Sequence, residues 1–134
     1  MGLSLKVISP DRTVVDAETD EVILPSTTGQ LGILTDHAPL MSALETGVLR
    51  YRQNNTWQTV ALMGGFVEVE ANEAIVLVTQ AELGAEIDPI KARAELEAAE
   101  KHLATVKLED RQGMIRAKQN VRRARARVQA TTAV

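Results

Sequence analysis

Apolar and polar residues alternate in short bursts over the first two-thirds of the chain, and then change period. The segments LSLKVIS, DEVILPS, GVLRYRQ, TWQTVALM, FVEVE and EAIVLVT are rich in β-branched and aliphatic residues, and several place apolar side chains at every second position. Residue pairs that tolerate positive φ stand between them: Asn54-Asn55, Gly64-Gly65 and Ala71-Asn72. Each is expected to close a hairpin. Strands this close together, with no helical stretch between them, predict about ten antiparallel strands in two sheets, a β-sandwich or flattened barrel.

At EIDPIKARAELEAAEKHLATV the apolar period becomes three to four. Asp88 followed by Pro89 is a helix-start signal: the carboxylate accepts a first-turn N–H, and proline has no donor to leave unpaired there. Ala92, Leu96, Ala99, Leu103 and Val106 then mark one helix face, and Met114, Ala117, Val121, Ala124 and Val128 mark another. Joined through KLEDRQG, the two helices are expected to form an antiparallel hairpin. The chain thus divides into a sandwich over residues 1–86 and a helical hairpin over 87–134. Both stripes are poor in bulky side chains. A buried leucine contributes about 1.5–3 kcal/mol but an alanine methyl only about 0.8, so this seam predicts a hairpin able to open.

Composition narrows the core. Of 134 residues 45% are hydrophobic but only 2% aromatic, which leaves Val, Ile, Leu and Ala to fill it. Cysteine is absent, excluding disulfides and thiolate metal sites and fitting a reducing compartment. No signal-like segment follows Met1, and no apolar run approaches the roughly 18–20 residues of a spanning helix, so any membrane association is expected to be indirect.

Charge separates the two parts more sharply. Residues 1–86 carry twelve acids against four bases, residues 87–134 eleven bases against six acids, and no acid follows Asp110. The run RAKQNVRRARARV, residues 116–128, holds six bases. A solvated helix face is the plain reading of such a run. Nucleic-acid binding is disfavoured, because the run has no aromatic for stacking and the acidic remainder repels phosphate. An arm that docks reversibly on an acidic protein surface fits best, since exposed ion pairs are each worth only about 0–1 kcal/mol and bias an equilibrium without locking it.

No catalytic constellation is present. His37 and His102 have no metal-ligand neighbour at useful spacing, Glu68 and Glu70 are explained by strand alternation, and no G-K-[ST] follows Gly64-Gly65. The sequence argues against an enzyme, a metal site or a bound cofactor.

Residues 22–50, VILPSTTGQLGILTDHAPLMSALETGVLR, resemble a signature of the epsilon subunits of F-type ATP synthases, in which a glycine-bearing GQLGIL turn leads into HAPL. The likeness continues through LMGGFVEVEANEAIVLVTQAELGAEID and the helical tail, and EIDP and RRARARV look most like the chloroplast and cyanobacterial branch. The resemblance implies a ten-stranded sandwich and a two-helix hairpin in a noncatalytic central-stalk subunit. It implies a sandwich that binds the gamma shaft and the c-ring, with Gln30, Leu31, Gly32, Asp36, His37 and Pro39 as the contact loop. Many bacterial relatives carry glutamate at position 30, so an amide hydrogen bond is expected to replace a charged contact. It further implies that the hairpin, when extended, blocks ATP hydrolysis, with Arg116, Arg122, Arg123, Arg125 and Arg127 facing an acidic segment of the catalytic beta subunit within the alpha/beta ring. The implied location is peripheral on the thylakoid membrane, on its cytoplasmic or stromal side.

An alternative is an ATP-sensing module. Some bacterial relatives bind ATP at the folded hairpin through I-D-x-x-R-A and arginines of the second helix. Here Ile87, Asp88 and Ala92 match, Lys91 replaces the arginine, and Arg123 and Arg127 remain available. Lysine keeps the charge but loses the planar fork that grips phosphate, so weak or absent ATP binding is expected.

Overall fold

The computed structural model describes residues 2–132. Within them lie eight strands: β1 (Leu3–Ser9), β2 (Arg12–Thr19), β3 (Glu21–Ser26), β4 (Gly29–Leu34), β5 (Leu40–Leu44), β6 (Gly47–Gln53), β7 (Thr56–Glu70) and β8 (Glu73–Leu83). A 3-10 turn at Gly84–Glu86 then leads into α1 (Pro89–Thr105) and α2 (Arg111–Ala130). The strands pair in the order β2-β1-β8-β7-β5-β3-β4, with β6 bridging β3 and β7. All pairs are antiparallel except β1 with β8.

Two of the three expected hairpin turns form. Asn54 and Asn55 have φ of 53° and 63°, and Ala71 and Asn72 have 52° and 61°, the paired left-handed conformation that matches strand twist. Gly64-Gly65 does something else. TWQTVALM and FVEVE are two halves of β7, which pairs with β6 through residues 56–62 and with β5 through residues 65–69. β8 keeps one register across the join, Met63 opposite Gln80 and Gly65 opposite Val78. Positive φ at Gly64 (66°) and Gly65 (150°) therefore bends one long strand from one layer into the other without reversing it. Because β7 and β8 each serve both layers, eight strands build the sandwich for which about ten were expected.

GQLGIL is also extended, not a turn. It is β4, paired residue by residue with β3 from Glu21 opposite Leu34 to Ser26 opposite Gly29. The reversal falls on Thr27-Thr28, followed by Gly29 at φ 121°.

Alternation fixes what lies inside. Leu3, Leu5 and Val7 of β1 join Val22, Leu24, Ile33, Leu49, Leu62, Val67 and Val76 in one closed aliphatic core. Tyr51 is its aromatic member, and burial raises the pKa of its phenol.

In the helices every residue of the two expected stripes is buried or half-buried, while the rest of α1 is exposed. Asp88 Oδ1 accepts the Ile90 and Lys91 N–H groups at 3.0 and 3.3 Å, capping α1. The connector is shorter than KLEDRQG: Asp110 accepts the Gly113 N–H at 2.9 Å, so capping starts α2 at Arg111 and places the glycine inside its first turn.

A second, smaller apolar cluster seats the hairpin on the sandwich. It joins Val48 of β6 and Ala61 of β7 to Ile87, Ala92 and Ala130, with Met63 and Val128 at its margin. The hairpin thus rests through its base, where α1 begins and α2 ends.

Candidate functional site

β4 and the loop after it carry the six residues expected to make the rotor contact. Gln30 and Gly32 are exposed on β4, an outer strand that among the described residues pairs with β3 alone, whereas Leu31 turns inward and packs against the core. Asp36 adopts φ 65° and is tied to the β7–β8 turn, its N–H and its carboxylate both hydrogen-bonded to the Asn72 amide. His37 is half-buried, with Nδ1 2.7 Å from the Ala38 carbonyl, and Pro39 is exposed. These residues line the length of a strand and the loop beyond it, so they form an edge and not one loop.

The cations of α2 separate into two kinds. Arg116, Arg122, Arg123 and Arg125 are exposed, and of these only Arg125 pairs with a carboxylate within 4 Å among the described residues, Glu100 at 3.9 Å. A helix with no acid of its own cannot neutralise them locally. Arg127 is different. Its Nε and Nη2 donate to Glu82 of β8 at 2.8 and 3.3 Å, and its Nη1 donates to Glu95 of α1 at 2.9 Å. Its side chain is only 19% exposed. The bond to Glu82 raises its pKa, burial opposes that, and Glu95 adds to the rise. Close by, the Thr59 hydroxyl donates to the Ala130 carbonyl at the end of α2.

The nucleotide signature is only partly assembled. Ile87 and Ala92 are buried in the second apolar cluster, Asp88 is engaged as a helix cap, and Lys91 is exposed. Arg123 and Arg127 do share a shallow groove with Glu95, Ala99 and Asn120, but the guanidinium of Arg127 already faces two carboxylates. Among the described residues no three His, Asp or Glu side chains gather as a metal site would require, and no helix is long and apolar enough to cross a membrane.

Two features escaped the sequence reading. One is the pair Glu82 and Glu95, which lie 45 and 32 residues from Arg127 and meet it only through the fold. The other is an outward apolar row across four strands: Ala43 stands opposite Phe66, Phe66 opposite Leu77, and Leu77 opposite Ile8. Met41, 66% exposed, extends it. The run AIVLV in β8 carried the signal, because an unbroken apolar run indicates a strand with partners on both faces.

Comparison with known proteins covers the described chain. Residues 2–84 match the family described as ATP synthase, Delta/Epsilon chain, beta-sandwich domain, and residues 85–132 match the long alpha-helix domain of the same chain. The ATP synthase epsilon chain of Synechococcus elongatus is 59% identical over 130 residues, covering 97% of this chain and 95% of the relative. That of Thermosynechococcus vestitus is 57% identical over 135 residues, covering 100% and 98%. Among solved structures, a chain of the Euglena gracilis mitochondrial ATP synthase (OSCP/F1/c-ring) superposes with a TM-score of 0.82 at 19% identity, covering 98% of this chain and 82% of that one.

Proposed function

The chain belongs to the delta/epsilon family of ATP synthase subunits as a noncatalytic epsilon chain of the central stalk, and we propose how its two parts divide the work. Residues 1–86 bind the rotor. The β4 edge, with Gln30, Gly32, Asp36, His37 and Pro39, faces the polar loops of the c-ring; Leu31 supports this edge from the core side. The apolar row through Phe66 and Leu77 supplies a surface for the gamma shaft, since an exposed band of this kind marks an interaction site.

Residues 87–134 regulate. Docked through a small apolar seat, the hairpin leaves hydrolysis free; extended, it presents its cations to an acidic segment of the catalytic beta subunit, within the alpha/beta ring, and inhibits. The carrying observation is that Arg116, Arg122, Arg123 and Arg125 are exposed along a helix without an acid. In a thylakoid-bound enzyme the subunit lies peripherally on the stromal or cytoplasmic side, and its membrane association runs through the complex.

Replacing Arg116, Arg122, Arg123 and Arg125 together by alanine is expected to relieve inhibition of ATP hydrolysis in the reconstituted enzyme while rotor assembly is retained. Full inhibition by the quadruple variant would overturn the assignment. ATP sensing is not favoured, because Arg127 is already held by Glu82 and Glu95.

A further inference from the structure

We propose that Arg127 is the clasp that keeps the hairpin folded, so that it acts in the opposite sense to the other arginines of α2. The clasp stands on its own geometry; its consequence for hydrolysis rests on the regulatory reading above.

Three elements converge on this one guanidinium. Glu82 comes from the end of β8, Glu95 from the second turn of α1 and Arg127 from the last turn of α2. Sheet, first helix and second helix are thereby tied at one point. The contact with Glu82 is two-pronged, through Nε and Nη2, a geometry that a planar fork makes and a lysine cannot. Partial burial of Arg127 makes its bond to Glu82 less screened than solvated pairs such as Lys101–Glu97, whose side chains are 77% and 71% exposed, while the Glu95 arm, 58% exposed, stays open to salt.

The rest of α2 offers no equivalent hold. Ahead of the clasp, the helix stands over a polar cleft lined by Thr46, Thr79, Gln80, Gln119 and Asn120. Beyond it, one hydroxyl–carbonyl bond from Thr59 secures the terminus. The apolar seat supplies nondirectional contact, to which α2 brings Val128 and Ala130. Directional attachment of α2 to the sheet is therefore concentrated in its last turn.

Removing Arg127 acts twice. The fork is lost, and Glu82 and Glu95 are left as like charges facing one another across the sheet–helix junction. The two carboxylates also compete with any acidic partner surface for Arg127, so the arginine reaches a partner only after the clasp has opened.

The full chain is well suited to a direct test. It has one tryptophan and no cysteine, and half-buried Trp57 lines the cleft that holds Ala130 and Thr131. An acceptor dye on Gln112→Cys, near the hairpin tip, reports opening by energy transfer from Trp57. Arg127→Ala is expected to raise the open population about tenfold, the scale of losing a charge-assisted hydrogen-bond pair. Arg127→Lys and Glu95→Gln should lie between it and the parent, and raising salt from 0.1 to 1 M should shift the parent toward the alanine variant. Arg122→Ala should leave the energy transfer of the isolated chain at the parent's value. A sheet signal in circular dichroism verifies that each variant is folded. Transfer in folded Arg127→Ala and Glu95→Gln equal to the parent's at both salts would overturn the clasp.

In the reconstituted ATP synthase, Arg127→Ala should inhibit hydrolysis more strongly than the parent. Opening without added inhibition leaves the clasp standing and counts against the inhibitory reading, so the two ideas fail separately.

Discussion

Gly84 lies where the sheet hands over to the helices, and a single methyl group there should unseat α2. Gly84 is buried in the 3-10 turn, and a Cβ built on it would fall well inside contact distance of Thr59 Oγ1 and the Ala130 carbonyl oxygen, the two atoms whose hydrogen bond secures the helix end. The Ala130 oxygen belongs to the backbone and cannot swing aside, so Gly84→Ala forces the last turn of α2 to lift. Overpacking of a close-packed site typically costs about 1–3 kcal/mol. How that cost appears depends on how the molecule is built. If the hairpin is a separately seated unit, the destabilisation is capped by the free energy of the seat, because once α2 lifts the sandwich no longer feels the added carbon. Of the seat, α2 itself contributes Val128 and Ala130, the bulkier Ile87 coming from the turn before α1, and an alanine methyl contributes about 0.8 kcal/mol on burial, so the cap for lifting α2 is low. Acrylamide quenching of Trp57, which lines the same cleft, should increase in Gly84→Ala while the urea midpoint of the β-sheet signal stays near the parent's. A sheet midpoint lowered by the full cost, with Trp57 still shielded, would refute the idea of a detachable hairpin.

Two further substitutions probe the sandwich. Tyr51 is buried and its phenol pKa is raised in the fold, so the folded state binds the proton more tightly than the unfolded chain; that contribution is complete below pH of about 10 and is lost as pH rises toward the folded value. Urea titrations at pH 8 and pH 10.5 should show stability falling in the parent and falling less in Tyr51→Phe, and equal slopes would contradict this. Gly65→Ala should cost more than about 3 kcal/mol, because a Cβ at φ 150° would also strike the Leu77 carbonyl of the neighbouring strand; a folded variant with the parent's thermal midpoint would show that β7 does not need its bend.

What the sequence could reveal followed the range of the interaction. β1 and β6 occupy the very segments LSLKVIS and GVLRYRQ, and all ten stripe residues of the hairpin turn away from solvent, because period and burial are written locally. Glycines misled where their surroundings decide their use. Gly64-Gly65 reads as a hairpin but bends a strand that β8 holds in register, and GQLGIL reads as a turn although Gly32 sits in a paired strand opposite Ile23. The electrostatic division of the arginines was invisible. Arg125 and Arg127 stand two residues apart in a run without an acid, yet one is half exposed beside Glu100 alone and the other meets two acids brought from β8 and α1. The cation run itself was legible; which of its members would be sequestered depended on tertiary contacts.

The most direct test of a movable cationic arm is a distance measured in the working enzyme. Probes on Asp16→Cys, exposed on β2, and Gln112→Cys, exposed at the start of α2, would follow the hairpin relative to the sandwich. In the isolated chain the distance should match the docked structure. In a hydrolysis-inhibited complex it should lengthen, and it should shorten again when Arg116, Arg122, Arg123 and Arg125 are replaced by alanine. A complex that is fully inhibited while the probes keep the docked separation would contradict the account.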